Sequence, residues 1–230
     1  MSGLDEATRL IQRLCEPELR ELSAWLVECL DDSRCVADPA ARYGGAAESL
    51  ETFTPEEYLA LEERSAVRHE YAAGQIYAMS EPLQPHKLIC GNIFAALHAH
   101  LRGTSCRPYI QSTRVRIRAR EEDYFYYPDI LIACGEARDG KGRFIEEHRV
   151  AIEVMSRSTE RIDRREKAYT YRELPSIEEI VLVSQRPAHV TVYRRTQNWA
   201  PAVLESLQQV LELRSVGFAL PLGPIYEGLP

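Results

Sequence analysis

Apolar residues follow two different periods along the chain, and the change from one to the other divides it into two regions. Over residues 4–15 and again over 17–30 they recur at helical spacing, which predicts two amphipathic helices. Residues 32–50 are small and polar and include a Gly-Gly pair, a composition typical of a linker. We therefore predict an N-terminal helical hairpin with its linker at 1–45 and a second domain at 46–230.

The second domain alternates helical and strand patterns. Thr54-Pro55-Glu56-Glu57 combines a capping box with a proline suited to a first helical turn, and residues 84–102 repeat apolar positions at helical spacing. Segments with a period of two predict a hairpin at 67–80, one strand at 109–120, and further strands at 126–134, 149–155, 178–184 and 189–195. This order favours an α/β fold with a mixed central sheet.

Two of the apolar strands contain one acid each, Asp129 and Glu153. Burying an unpaired carboxylate costs several kcal/mol or keeps it protonated, so such an acid calls for a partner. If the two strands pair, period-two geometry allows both acids to point to one side of the sheet. A hard divalent cation with oxygen ligands would satisfy them. A salt-bridged strand edge beside a solvated helix explains the same pattern and stays open as an alternative.

The segment after the second acidic strand supplies a cation in a suitable place. Asp163, Lys167 and Tyr171 are spaced at i, i+4 and i+8, which puts them on one stripe of a helix. A helix that returns across the sheet would bring the ammonium of Lys167 over the two acids. The sequence therefore predicts a cluster of carboxylates with a lysine beside it.

The order and spacing of these residues resemble the Uma-two family of restriction endonucleases, within the PD-(D/E)xK nuclease superfamily. In the superfamily's usual pattern a lysine lies two residues after the second acid, where this chain has Met155. The Uma-two family takes its lysine from the following helix, which matches Lys167. The resemblance covers residues from about Thr52 to the C-terminus and includes these matches: Pro128-Asp129, Glu153 to Thr159, Asp163, Lys167, Tyr171, Glu70, His86 and the tail FALPLGPIYEGL.

The resemblance implies a restriction-endonuclease-like αβββαβ core carrying the N-terminal hairpin, and hydrolysis of phosphodiester bonds, most naturally in DNA. It implies Mg²⁺, replaceable by Mn²⁺, held by Asp129, Glu153, the Val154 carbonyl and Glu70, with Lys167 orienting water or neutralising charge. The residues expected to support these groups or to contact phosphate are Asp163, Tyr171, His86, Arg157 and Arg164. At Arg157 many family members have proline instead, which leaves the acids in place.

Charge limits the classes of function. The net charge of −7 argues against a general nucleic-acid coat protein but allows a local basic groove. Arg114, Arg116, Arg118 and Arg120 alternate with apolar residues, and they form either a stripe that contacts phosphates or the solvated face of a strand. Other classes stay open: a catalytically inactive nuclease-fold module that binds nucleic acid or protein, a structural dimer, and a two-carboxylate glycosidase that would leave the basic helix unexplained.

Cysteine usage and hydropathy bear on the compartment. The six cysteines include no CxxC pair, which favours reduced thiols and a cytoplasmic protein. No apolar run is long enough to span a membrane, and the first residues lack the pattern of a signal peptide. His98 and His100 are poorly spaced for zinc. We expect a homodimer, since two copies would suit cutting both strands of DNA.

Overall fold

The computed structural model of the protein describes residues 52–79, 82–111, 113–135, 148–155, 167–185 and 188–229. The predicted N-terminal hairpin and its linker lie outside these residues, as do Arg157, Asp163 and Arg164. The division of the chain at residues 45 and 46 therefore stays a prediction.

The described residues form helices and strands in the alternating order that the sequence predicts. The helices are α1 (Pro55–Glu62), α2 (Gln84–His100), α3 (described over 167–172) and α4 (Leu222–Ile225). The strands of the first half are β1 (His69–Ala72), β2 (Gln75–Ala78), β3 (Cys106–Ile110), β4 (Val115–Ala119), β5 (Glu122–Tyr126), β6 (Ile130–Cys134) and β7 (His148–Met155). Those of the second half are β8 (Glu179–Ser184), β9 (Val190–Arg194), β10 (Pro201–Leu204), β11 (Val210–Leu213) and β12 (Phe218–Pro221).

The central sheet has six strands in the order β10-β9-β8-β7-β6-β3. β7 and β8 are parallel and the other neighbours are antiparallel, so the sheet is mixed. The elements α2, β3, β6, β7, α3 and β8 follow one another as the expected αβββαβ core. A second, four-stranded antiparallel sheet has the order β2-β1-β5-β4. Its strands β1 and β2 precede α2 in the chain, and β4 and β5 lie between β3 and β6.

Each face of the central sheet carries its own apolar core. Alternation along β6, β7 and β8 sends Ile130, Ile152 and Val181 toward α2, with α4 and the β11–β12 ribbon in the same cluster. On the other face, residues such as Leu131 and Leu182 pack with α3 and with one side of the four-stranded sheet. The second core therefore lies between the two sheets, and α3 borders it.

Several local predictions are confirmed. The side chain of Thr54 accepts a hydrogen bond from the Glu57 backbone N–H while the Glu57 carboxylate accepts from that of Thr54, so α1 begins with the predicted capping box. β1 and β2 form the predicted hairpin, whose turn places Ala73 and Gly74 at positive φ. None of the helices in the described part of the chain has both the length and the apolar character that crossing a bilayer requires.

The prediction of one strand over residues 109–120 is wrong. β3 ends at Ile110 and pairs with β6 in the central sheet, whereas β4 begins at Val115 and pairs with β5 in the other sheet. Gln111, between them, has a φ of 49°, a left-handed conformation that ends extended backbone. The chain thus passes from one sheet to the other at a residue with no glycine or proline to signal it.

The expectation of reduced thiols is also wrong for one pair of cysteines. Cys106 on β3 and Cys134 on β6 lie directly opposite each other in the antiparallel register and are joined by a disulfide. The bond fastens β3, the outer strand of the central sheet, to its neighbour.

Reducing this disulfide should lower the free energy of unfolding by about 3 kcal/mol, because the cross-link closes a loop of 28 residues and restricts the unfolded chain. Chemical denaturation with and without reductant measures the difference. The double variant Cys106→Ser, Cys134→Ser should be insensitive to reductant; an equal response from that variant would show that the effect does not come from this bond.

Candidate active site

The two strand acids come together because of how β6 and β7 pair. These strands are antiparallel, with Ile130 opposite Ile152 and Leu131 opposite Ala151. Continuing this register by one residue sets Asp129, just before β6, opposite Glu153 on β7. The sequence-based expectation that the two acid-bearing strands pair across one sheet is confirmed.

Glu153 is a buried carboxyl group with several charged neighbours. It is 6% exposed, and Tyr171 on α3 donates a hydrogen bond of 2.8 Å from its hydroxyl to Oε1. Burial raises the pKa of Glu153 to about 8; the nearby Lys167 lowers it, and the charges of Asp129 and Glu70 raise it further. A cation in this place would counteract the shift, because positive charge stabilises the ionised carboxylate.

Lys167 lies between two of the acids. Its Nζ is 2.8 Å from Oε1 of Glu70 and 3.8 Å from Oε1 of Glu153, and it lies over the ring of Tyr126 at 5.4 Å from the centroid. Glu70 comes from β1 of the four-stranded sheet, and its Oε1 also accepts a hydrogen bond of 3.1 Å from the backbone N–H of Tyr127. The ammonium therefore links acids that belong to the two different sheets.

Asp129 is held from the opposite side. Its Oδ2 accepts a hydrogen bond of 2.8 Å from the backbone N–H of Val154 and lies 3.1 Å from Nε2 of His86, a residue in the first turn of α2. The Val154 contact joins Asp129, which precedes β6, to the residue of β7 that follows Glu153. This hydrogen bond therefore keeps the two acids close to each other.

Within the described residues, each of the three carboxylates keeps one oxygen without a hydrogen-bond donor. The protein's hydrogen bonds go to Oδ2 of Asp129, Oε1 of Glu153 and Oε1 of Glu70. Among the described residues no donor reaches Asp129 Oδ1, Glu153 Oε2 or Glu70 Oε2. The protein thus fixes each carboxylate through one oxygen and leaves the other for a ligand. Oxygen atoms of this kind are what Mg²⁺ and Mn²⁺ prefer.

The structure brings together most of the residues singled out from the sequence. Glu70, Asp129, Glu153, Lys167, Tyr171 and His86 are connected by the contacts above. Val154 contributes its backbone N–H, and the metal-binding role of its carbonyl stays a prediction. The roles of Arg157, Asp163 and Arg164 stay predictions as well, since these residues lie outside the described part of the chain.

The arginine stripe of β4 lies away from this cluster. Tyr71 on β1 is opposite Phe125 on β5, which is opposite Arg116 on β4, so these three share a face of the four-stranded sheet. Glu70, adjacent to Tyr71, points to the other face. Arg116 is paired with Asp123 at 2.8 Å. This arrangement favours the interpretation of the stripe as a solvated strand face.

Two contributors to the site were missed from the sequence. The backbone N–H of Tyr127 holds Glu70, and no sequence signal reveals a backbone donor of this kind. Cys90 lies 3.6 Å from Nδ1 of His86, one helical turn away. That i, i+4 spacing on α2 was visible in the sequence and could have suggested the contact.

Replacing Tyr171 by phenylalanine should destabilise the protein by about 1 kcal/mol, since a buried hydrogen bond is lost. It should also raise the pKa of Glu153, because the hydroxyl favours the ionised carboxylate. Thermal unfolding and a titration of Glu153 by NMR measure the two effects. Tyr126→Phe, in a ring that packs against Tyr171 at 5.8 Å, is the matched control and should leave that pKa unchanged.

Comparison with known proteins identifies the family of the chain. A family model described as "Uma2: Putative restriction endonuclease" matches residues 55–223, which is most of the chain. The chain belongs to the Uma2 family. The match includes Glu70, His86, Asp129, Glu153, Lys167 and Tyr171, so the candidate site lies wholly inside the Uma2 region.

Two relatives of this Uma2 chain come from a cyanobacterium, Synechocystis sp. The "Uncharacterized protein slr1290" is 33% identical over 178 residues, covering 76% of this chain and 92% of the relative. The "Uncharacterized protein sll1609" is 26% identical over 144 residues, covering 62% and 80%.

A solved structure shares the fold. The crystal structure of "a putative nuclease belonging to DUF820" from Anabaena variabilis superposes with a TM-score of 0.61 at 16% sequence identity, covering 76% of this chain and 97% of that one. At this identity the likeness establishes the fold alone. It confirms the α/β architecture with a mixed central sheet.

Proposed function

We propose that this Uma2 protein is a metal-dependent endonuclease that hydrolyses phosphodiester bonds, with DNA as its substrate. One observation carries the proposal: three carboxylates from two sheets are each held through one oxygen, and the ammonium of Lys167 lies beside two of them, Glu70 and Glu153. Among the described residues, no donor reaches the second oxygen of any of the three. The family description supports the same class of reaction.

The residues fit a divalent cation. Asp129, Glu153 and Glu70 offer hard oxygen ligands. The raised pKa of Glu153, caused first by burial, supports the proposal because a bound cation would offset it. Bound there, Mg²⁺ or Mn²⁺ would polarise a phosphate oxygen and lower the pKa of a coordinated water.

The protein's own groups would then divide the remaining work. Lys167, already 2.8 Å from Glu70, would face the charge that develops on the phosphate, as a compact ammonium can. Tyr171 and Val154 would keep Glu153 and Asp129 in place through their hydrogen bonds. Such fixed donors favour reaction because they need no reorganisation when the charge appears.

Substrate and assembly are part of the proposal. Phosphodiester chemistry at a carboxylate cluster fits DNA or RNA, and the family description favours DNA. A homodimer in the cytoplasm would place two such sites for cutting both strands. Analytical ultracentrifugation tests the assembly, and a single sedimenting species with monomer mass would contradict it.

The test is a Mg²⁺ and Mn²⁺ titration by calorimetry, followed by a cleavage screen over linear, circular and single-stranded DNA and RNA. Wild type should bind the ion and cut with it, and chelation should stop the reaction. Asp129→Asn should bind more weakly and not cut. Arg118→Gln, on the opposite sheet face, is the matched control and should behave as wild type.

A wild type that cuts no nucleic acid in the presence of Mg²⁺ or Mn²⁺ would overturn the proposal. Cleavage of RNA alone would show that the substrate is RNA and would still support metal-dependent hydrolysis of phosphodiester bonds. Binding of nucleic acid without cleavage would instead favour an inactive nuclease-fold module.

A further inference from the structure

A chain of contacts continues from Asp129 into the core on the far side of the site. His86 and Cys90 are one turn apart on α2, and both are buried, at 9% and 0% exposure. Nε2 of His86 lies 3.1 Å from Oδ2 of Asp129, and Nδ1 lies 3.6 Å from Sγ of Cys90. The imidazole therefore bridges a carboxylate and a thiol.

These three side chains could at first be taken for a transition-metal site, since their ligand atoms lie within 4.8 Å of one another. The two ring nitrogens of an imidazole point away from each other, however, and each faces a different partner here. An ion between the ring and Cys90 would lie on the far side from Asp129. Each ring nitrogen of His86 thus has its own partner, Asp129 at Nε2 and Cys90 at Nδ1, which favours a hydrogen-bonded arrangement.

With Asp129 ionised and the His86 ring singly protonated, hydrogen-bonding rules assign a donor and an acceptor to each contact. Oδ2 of Asp129 is a carboxylate oxygen, which accepts, so Nε2 of His86 must be the donor. In a neutral imidazole Nδ1 is then without a proton and accepts, which makes the Cys90 thiol the donor to it. Asp129 is then an acceptor, Cys90 is a donor, and His86 donates through one ring nitrogen and accepts through the other.

The surroundings of Cys90 keep its proton in place. Burial, and next the charge of Asp129, raise the pKa of the Cys90 thiol well above its ordinary range. The backbone N–H of Gln111 donates to the Asp129 carbonyl at 2.9 Å. The turn between the sheets therefore also holds the backbone of Asp129.

We infer that His86 is a positioning residue for Asp129, held in its Nε2-protonated form by Cys90, so that Oδ1 of Asp129 is presented to the cation. Two donors on Oδ2, from His86 and Val154, prevent the carboxylate from rotating to exchange its oxygens. The inference rests on the proposed function. It adds a hydrogen-bond partner, from a helix outside the acid cluster, that sets the geometry of a ligand.

The proton position is measurable without any metal. Two-bond ¹H–¹⁵N NMR correlations of the full-length protein distinguish the two neutral forms of an imidazole and the doubly protonated form. We expect Nε2 of His86 to carry the proton donated to Asp129 and Nδ1 to accept from Cys90. A ring with a proton on Nδ1 would overturn the inference whatever the enzyme cleaves.

Variants test the consequence for the ion. Mg²⁺ affinity by calorimetry should fall about 10- to 100-fold in His86→Phe, which keeps a ring but removes both nitrogens. His86→Gln can still offer a side-chain N–H toward Asp129 and should recover part of the loss. Equal, wild-type affinity in both variants would show that His86 only packs.

Cys90 has its own pair of variants. Cys90→Ser keeps a donor and should bind Mg²⁺ as wild type does, whereas Cys90→Ala should bind more weakly, by less than His86→Phe. Ile93→Val, a buried residue on the same helix, is the matched control for lost core volume and should leave affinity unchanged. Equal affinities for Cys90→Ser and Cys90→Ala would show that the hydrogen bond from Cys90 to His86 does not affect Mg²⁺ binding.

The two proposals fail in different ways. If wild type binds no Mg²⁺ but His86 is protonated on Nε2, the endonuclease proposal fails and the hydrogen-bond chain stands. If wild type binds Mg²⁺ and His86→Phe binds it equally well, the positioning role fails and the metal site stands.

Discussion

Glu153→Gln should abolish metal-dependent cleavage, with a loss of about 10³-fold or more, because the ion would lose a charged ligand worth several kcal/mol to the transition state. Glutamine has the same shape and can still accept the hydrogen bond from Tyr171, so the fold should be retained. Calorimetry should show weaker Mg²⁺ binding by this variant. Near-wild-type cleavage would show that Glu153 is not a ligand of the catalytic metal ion.

The same variant has a pH signature in the absence of metal. The folded-state pKa of Glu153 is raised from 4.5 to about 8, so its contribution to stability is fully present below pH 4.5 and is lost as the pH rises through about 8. Glu153→Gln has no such proton to lose. Its stability relative to wild type should therefore increase between these two pH values.

Urea denaturation across this range, with chelator present, measures the difference between the two proteins. With Mg²⁺ present the comparison should reverse, because the ion binds the ionised carboxylate of wild type and releases its proton. Proton release can be measured in buffers of different ionisation enthalpy. A pH-independent difference between the proteins would contradict the assignment of the raised pKa to Glu153.

Lys167→Met is expected to lower the cleavage rate by about 10²–10³-fold while retaining Mg²⁺ binding, since the three carboxylates remain. Methionine preserves the apolar stem over the ring of Tyr126 and removes only the ammonium. Without metal the variant should also lose about 3 kcal/mol of stability at alkaline pH, because buried acids are left without their cation.

Single-turnover cleavage with saturating Mg²⁺ separates the rate from binding. Lys167→Arg is the control for charge: it keeps a cation but replaces a compact ammonium by a planar guanidinium, and it should recover stability more fully than rate. If Lys167→Met cuts as fast as wild type, the lysine serves only to hold Glu70 and Glu153 together.

The sequence was informative where periodicity decides geometry. A period of two in each strand was enough to bring Asp129 and Glu153 to one side once β6 and β7 paired, and i, i+4 spacing was enough to align Lys167 with Tyr171. Both inferences use short-range regularities that do not depend on the rest of the fold. The family resemblance contributed the position of Glu70, which its strand alone would have left as a surface acid.

The features that the sequence could not reveal depend on how segments far apart in the chain align in the fold. Cys106 and Cys134 are opposite each other only because β3 pairs with β6 in one particular alignment. The break at Gln111 is a backbone turn at a residue type that is common in strands and helices alike. The i, i+4 spacing of His86 and Cys90 was visible in the sequence. Its relevance to the site could be judged only once the position of Asp129 was known.

The candidate site is built across the boundary between the two sheets, with Glu70 on one and Asp129 and Glu153 on the other. Without a metal ion, the ammonium of Lys167 opposes the repulsion between Glu70 and Glu153. An ion that binds only when the sheets are together would stabilise that arrangement by about 2.7 kcal/mol at a hundredfold excess over its dissociation constant. The metal ion would therefore hold the two sheets together, and amide hydrogen exchange in β1 and β5 would slow as the ion binds.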